Sequence, residues 1–253
     1  MFTQAIVRKP STNFAAGITK AGLGKPDYHQ ALEQHAQYVA ALERCGLKVR
    51  VLEADERYPD STFVEDTAIV TEKCAVITRL GAESRQGEEL IIGDTLRNNY
   101  SEIEAIVGDG LLDGGDVMRV ENHFYIGLSH RTNEEGAKQL INILNKYHYT
   151  GSAVSFNNFL HLKTGITYLD QKNFVAAGDL ANHPIFKDYN IIQTPTAENY
   201  SANCILINDF VLVAKGFPQT LSAIQALGYT TIELDMSEFQ KMDGGLTCLS
   251  LRF

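Results

Sequence analysis

One order of elements returns along this chain and constrains what it can fold into. Phe63 to Val70 and Cys74 to Thr78 read as apolar strands around a polar turn. They are followed by a helical stretch near Gly87 to Asn98 and a strand at Ile103 to Val107. Strand, tight turn and strand is the pattern of a hairpin. The order returns at Leu111 to Val120 and Phe124 to Leu128, with Thr132 and Glu135 forming a capping-box pattern that opens a helix to Lys146, then a strand at Ala153 to Phe156. A third copy runs through Leu160 to Leu169, Phe174 to Ala177 and Tyr189 to Ile192. The fourth takes Ala202 to Ile207, Phe210 to Ala214, a helix near Gln219 to Leu227 and a strand at Thr230 to Leu234. The fifth opens at Leu246, and residues 2 to 7 supply its missing strand. Glycine-bearing residues 11 to 25 then lead to a helix that Asp27 and Gln30 open, and Leu47 to Leu52 reads as a strand. Self-similarity of this length points to a repeat architecture, closed as a ring or stacked as a solenoid.

A rotation axis would bring equivalent positions of the copies together. The step from Glu65 to Asp113 is 48 residues, from Asp113 to His161 48, from His161 to Asn203 42 and from Asn203 to Cys248 45. Two carboxylates, an imidazole, an amide and a thiol are therefore expected to meet. A lone cysteine is commonly a small buried hydrophobe, and Cys248 after Gly244-Gly245 at the head of an apolar strand gains its interest from this company. A cysteine nucleophile works as its thiolate and needs a proton acceptor or a cation nearby. His161, placed on a strand opposite to the face of Leu160 and Leu162, is the candidate. Asp113 has the register to orient it, with Asp116 as the neighbouring option.

Glu65 and Asp66 interrupt an apolar strand, with Asp60 close by, so at least one of the adjacent pair is expected to be inward. A buried carboxylate requires a counter-charge, and a guanidinium satisfies two carboxylates at once. That favours a cationic substrate. Arg79, Arg85 and Arg131 are available to clamp a substrate carboxylate.

Composition excludes several classes. With 22 basic and 31 acidic residues the formal charge is −9, which argues against nucleic-acid binding through phosphates. The four cysteines, Cys45, Cys74, Cys204 and Cys248, form no C-x-x-C pair, so neither a disulfide framework nor a thiolate zinc site is expected. Residues 1 to 8 carry no signal-peptide pattern, and no apolar run reaches the roughly 20 residues of a membrane span. The expectation is one cytoplasmic catalytic domain over residues 1–253, with no membrane partner.

Phe63-Val-Glu-Asp66, Asp113-Gly-Gly-Asp116, Leu160-His-Leu-Lys-Thr-Gly165, Ala202-Asn-Cys204 and Asp243-Gly-Gly-Leu-Thr-Cys248 together resemble the dimethylarginine dimethylaminohydrolases, of the wider guanidine-modifying superfamily. The resemblance spans the whole chain and is closest to the short bacterial members. It implies an α/β fold, the five-bladed α/β propeller (pentein) with pseudo-fivefold ββαβ repeats. It also implies hydrolysis of Nω-methylated arginine to citrulline and methylamine or dimethylamine. Cys248 would form a covalent thiouronium, His161 would move the protons and Asp113 would orient His161. Glu65 and Asp66 match guanidinium-side positions. Asp60, Arg85 and Arg131 match contacts to the amino-acid end, and Ile18 and the backbone at Met242 also match substrate contacts. The family needs no metal or organic cofactor, and a homodimer is compatible with it. Competing readings are an arginine deiminase-like hydrolase of another guanidine, a non-catalytic amino-acid-binding protein and a thiol redox sensor.

Overall fold

The computed structural model describes residues 1–253. Fifteen strands form five sheets of three. The first sheet holds β1 (Ala68–Val70), β2 (Ala75–Ile77) and β3 (Ile103–Ala105), and the second β4 (Val117–Val120), β5 (His123–Leu128) and β6 (Thr150–Ser155). The third holds β7 (Ile166–Tyr168), β8 (Asn173–Ala176) and β9 (Asn190–Gln193), and the fourth β10 (Ile205–Ile207), β11 (Phe210–Ala214) and β12 (Thr230–Leu234). The fifth joins β13 (Leu251–Arg252) to β14 (Gln4–Arg8) and β15 (Lys48–Leu52), so the N-terminal strand does complete it. In every sheet the middle strand pairs antiparallel with the first and parallel with the third.

A parallel pair needs a crossover. Four of the crossovers are helices: α1 (Glu88–Leu96), α2 (Glu134–Lys146), α3 (Pro218–Ala226) and α4 (Tyr28–Arg44). In the third copy two 3-10 turns, Gly178–Asn182 and Pro184–Phe186, take that place. Asp27 Oδ1 accepts from Gln30 N at 2.9 Å and so caps α4. For α2 the expected cap is one residue off. Asn133 accepts from Gly136 N at 2.8 Å, which leaves the Thr132 hydroxyl free to turn inward.

Apolar side chains gather into five clusters, each shared by two sheets. Ile69 and Val76 pack with Val117 and Ile126, Met118 and Val154 with Ile166 and Phe174, and Val175 with Val211 and Val213. Ile205 and Leu212 pack with Ala5 and Val7, and Ile6 and Leu251 with Ala68 and Ala75. Burial of this kind, at about 25 cal/mol per Å² of apolar surface, is what holds sheet to sheet.

The sequence reading extended the first strand of each copy too far. Val64–Thr67, Gly114–Asp116, Thr196–Ala202 and Thr247–Leu249 are 3-10 turns, and Leu162–Gly165 is a single α turn, α5. Short apolar runs do not distinguish a turn from a strand by period. Here polar side chains bond locally and tighten the backbone, as where Thr67 Oγ1 donates to Val64 O at 2.7 Å. Glu65, Asp66, Asp113, His161 and Cys248 thus sit in or just before a turn and Asn203 just after one, and the argument from alternating strand faces does not apply to them.

Candidate active site

His161 immediately precedes α5, and its Nε2 lies 3.1 Å from Asp113 Oδ2. The other ring nitrogen, Nδ1, is 3.9 Å from Asp66 Oδ1. Asp113 is fully buried, and its second oxygen accepts from Gly81 N at 2.8 Å. Asp116 accepts from Leu162 N at 2.9 Å and from the hydroxyls of Ser129 and Thr132, at 2.6 and 2.7 Å. Thr132 Oγ1 also accepts from Asp113 N at 3.1 Å. One hydroxyl therefore ties the backbone amide of Asp113 to the Asp116 carboxylate.

Asp66 is buried between Arg85, whose Nη1 donates at 2.7 Å, and Gly115 N, which donates at 2.9 Å. A Cβ on Gly115 would stand 2.5 Å from His161 Nδ1 and 2.9 Å from Asp66 Oδ1, so only glycine fits beside this pair. Burial opposes charge on the imidazole, but Asp66, Asp116 and Asp113 outweigh it and raise the His161 pKa to about 9. Burial also disfavours the Asp66 carboxylate, which His161 and Arg85 nonetheless hold below its ordinary value. Asp66, Asp113 and His161 bring three potential metal donors within 4.8 Å of one another. Each already serves a hydrogen bond or ion pair, so the cluster is self-consistent as a protein network.

Cys248 lies in the 3-10 turn Thr247–Leu249. Gly245 N donates to its sulfur at 3.4 Å. Burial, with Glu65 and Asp66 adding to it, pushes the thiol up to about 12, against the Gly245 amide and Lys163, which favour the thiolate. The turn is held from below. Asn203 Oδ1 accepts from Thr247 N at 3.0 Å, and Thr247 Oγ1 donates to Glu65 Oε2 at 2.7 Å. Lys163 Nζ, at 2.6 Å, and Arg252 Nη2, at 3.3 Å, both bond Glu65 Oε1. The glycines before the cysteine are required by packing. A Cβ on Gly244 would meet the Phe63 ring at 2.3 Å, and one on Gly245 the Asn203 amide at 2.6 Å.

Ile18, Asp60, Asp66, Arg85, Arg131, His161, Met242 and Cys248 line one cavity of about 30 Å³. Its far wall is the 17–21 segment. Ile18 N donates to both Asp60 oxygens, at 3.2 and 3.1 Å, and Lys20 N donates to Asp243 Oδ2 at 2.6 Å. A space that small holds about two waters, less than an amino acid occupies. Two larger cavities, of about 190 and 760 Å³, are bordered by neither His161 nor Cys248.

The family model for N,N-dimethylarginine dimethylhydrolase, eukaryotic, matches residues 24–181. The N(G),N(G)-dimethylarginine dimethylaminohydrolase of Pseudomonas aeruginosa is 49% identical over 254 residues, covering 100% of both chains. The chain belongs to the dimethylarginine dimethylaminohydrolase family. A crystal structure of the Pseudomonas aeruginosa enzyme, a cysteine-to-serine variant complexed with citrulline, superposes with a TM-score of 0.99 at 49% identity over 100% of each chain. The N-terminal domain of ArgZ, an arginine dihydrolase from cyanobacteria, superposes at 0.88 with 18% identity, covering 100% of this chain and 97% of that one. At that identity the likeness concerns the α/β fold alone.

Of the residues singled out within this family's motifs, eight share the cavity and Asp113 lies directly behind His161. Glu65 is outside the cavity wall, beneath the cysteine turn on Lys163, Arg252 and Thr247. Arg79 takes part in a β-bridge with Leu112 and is absent from the cavity. Arg131 Nη1 approaches Asp113 at 3.7 Å. Sequence reasoning missed Glu88, which grips Arg85 through Nε at 3.0 Å and Nη2 at 2.8 Å. Its i,i+3 spacing from Arg85 was the available signal. Lys163, Arg252 and Thr247 offered no comparable signal.

Proposed function

We propose that this chain hydrolyses Nω-methylated arginine to citrulline and an alkylamine, acting as a single catalytic domain. The observation that carries the reading is one cavity bordered by both Cys248 and His161 and lined by Asp60, Asp66, Arg85 and Arg131. Full-length identity to the Pseudomonas aeruginosa enzyme supports it.

In the free protein the thiol is neutral and His161 is an imidazolium, from the directions of their pKa values. A guanidinium docked between Asp66 and Cys248 brings the missing cation to the sulfur and favours the thiolate, and the thiol proton passes to solvent because His161 is already protonated. Sulfur attacks the guanidinium carbon, and the C–N bond to the methylated nitrogen breaks as His161 gives that nitrogen a proton. The amine leaves neutral and a thiouronium stays on Cys248. Neutral His161 then takes a proton from water as its oxygen bonds the same carbon. The C–S bond breaks, and citrulline departs as the second water proton passes to solvent. Asp113 keeps Nε2 occupied, so Nδ1 is the nitrogen that exchanges protons. Arg85 and Arg131 hold the substrate carboxylate, and Asp60 with the backbone of Ile18 and Met242 receives the amino end. Glu65 acts through Thr247 on the cysteine turn.

The same reading extends to the architecture. Five like sheets, with clusters joining each to the next and the fifth to the first, support a closed five-bladed α/β propeller.

Citrulline release from asymmetric dimethylarginine, monomethylarginine and arginine, with Cys248→Ser as control, tests the assignment. Turnover of arginine alone would defeat it in favour of a deiminase, and retained activity in Cys248→Ser would remove the nucleophile.

A further inference from the structure

Cys248 borders two cavities. Beside the small charged one lies a second of about 280 Å³, which shares with it only Leu160, Asp243, Gly244 and Cys248. Its other walls come from Ala21 and Leu23, from residues 158–159, and from Thr164, Tyr200, Asn203, Gln240 and Gly245. The two spaces differ in chemistry. The charged cavity carries Asp60, Asp66, Arg85, Arg131 and His161, whereas Asp243 is the one acid or base of the second. Leu23, Phe159 and Leu160 give the second an apolar lining. Tyr200 is fixed by donating to Gly244 O at 2.8 Å, and Asn203 by donating to Lys163 O at 2.9 Å.

The reaction proposed above imposes a traffic problem. Once sulfur has bonded the guanidinium carbon, the rest of the amino acid still fills the charged cavity under the 17–21 segment. The alkylamine must nevertheless leave and a water must arrive before the C–S bond can break. Both exchanges happen at the cysteine, and neither can pass through the space the amino acid occupies. Resting on that reading of the site, we propose that the second cavity is the port through which the amine departs and the hydrolytic water enters. Its size suits the task, since a water takes about 30 Å³ in the liquid and dimethylamine has only three heavy atoms. Its lining does too. Methyl groups meet Leu23, Phe159 and Leu160, and a nearly uncharged wall gives a departing amine little to bind. Asp243, at the boundary, already accepts from Lys20 N and Thr19 Oγ1 on Oδ2.

Filling the port from two different segments tests this. Ala21→Trp and Gln240→Trp each place an indole in the second cavity from a position that does not itself line the first. Both are examined during turnover of asymmetric dimethylarginine by acid quench and intact-protein mass spectrometry. The expected result is a fall in kcat of about tenfold or more with KM not raised, as for a step of exchange with solvent. The thiouronium on Cys248 rises from a minor to a major fraction of the protein. An adduct fraction unchanged from wild type in both variants overturns the port. Circular dichroism checks folding, and Ala21→Leu and Gln240→Leu replace any tryptophan variant that misfolds. Failure of the underlying assignment looks different, because wild type would then release no citrulline and form no adduct.

Discussion

His161 and Asp113 are 48 residues apart in sequence, and their side chains meet at 3.1 Å in a buried contact. The carboxylate does two things there. It fixes which ring nitrogen is occupied, and with Asp66 and Asp116 it keeps the imidazole charged. Asp113→Asn keeps the shape and removes the charge. Turnover should fall by about 10²–10⁴-fold, the scale of lost general acid–base catalysis. With one raising influence gone, the His161 pKa falls, so the alkaline limb of the kcat profile should move to lower pH. An unshifted limb would show that Asp113 does not act on this imidazole.

The thiol and imidazole predict an ordering of protonation states. Because the Cys248 pKa is raised to about 12, the free protein should show no thiolate absorbance near 240 nm from this residue at pH 8. Alkylation by iodoacetamide should be correspondingly slow. In the proposed mechanism His161 carries the proton that releases the amine, and its pKa is raised to about 9. Activity should therefore hold below that value and fall as pH rises through it. A thiolate titrating near 7 in the free protein, judged by difference from Cys248→Ser, would contradict this order.

How much of this was legible in the sequence depended on distance along the chain. The near-constant step through Glu65, Asp113, His161, Asn203 and Cys248 carried the convergence, because equivalent positions of repeated units meet whatever their local shape. That shape was not legible. Phe63 to Val70 and Leu160 to Leu169 contain enough apolar residues for strands, and only tertiary bonds, such as Asp116 to Leu162 N, show that they begin as turns. Partners of buried charge were equally hidden. Nothing near Lys163 announces Glu65, 98 positions away, and a solvated lysine has the same local sequence.

Glu88 is the partner that most directly touches specificity. By holding Nε and Nη2 of Arg85 it leaves Nη1 directed at Asp66. Glu88→Gln removes charge-assisted bonds of about 1.5–3 kcal/mol, discounted by whatever the amide retains. Urea denaturation should report a loss of that order. If Arg85 serves binding, as proposed, KM for dimethylarginine should rise more than kcat falls. A fall confined to kcat would move Arg85 out of the amino-acid end of the site.

Gly115 offers the narrowest test of the geometry. Its added methyl would fall 2.5 Å from His161 Nδ1 and 2.9 Å from Asp66 Oδ1. The backbone at Gly115 needs no left-handed conformation, so Gly115→Ala should strain the site and not the fold. The imidazole is the group that yields, because Asp66 is anchored by Arg85. Moving a reacting group by about 1 Å costs on the order of 10²-fold in rate. Gly115→Ala should therefore fold with a melting temperature near that of wild type and lose turnover on that scale. Citrulline release at the wild-type rate would mean that His161 Nδ1 does not occupy the position on which the proposed proton transfers depend.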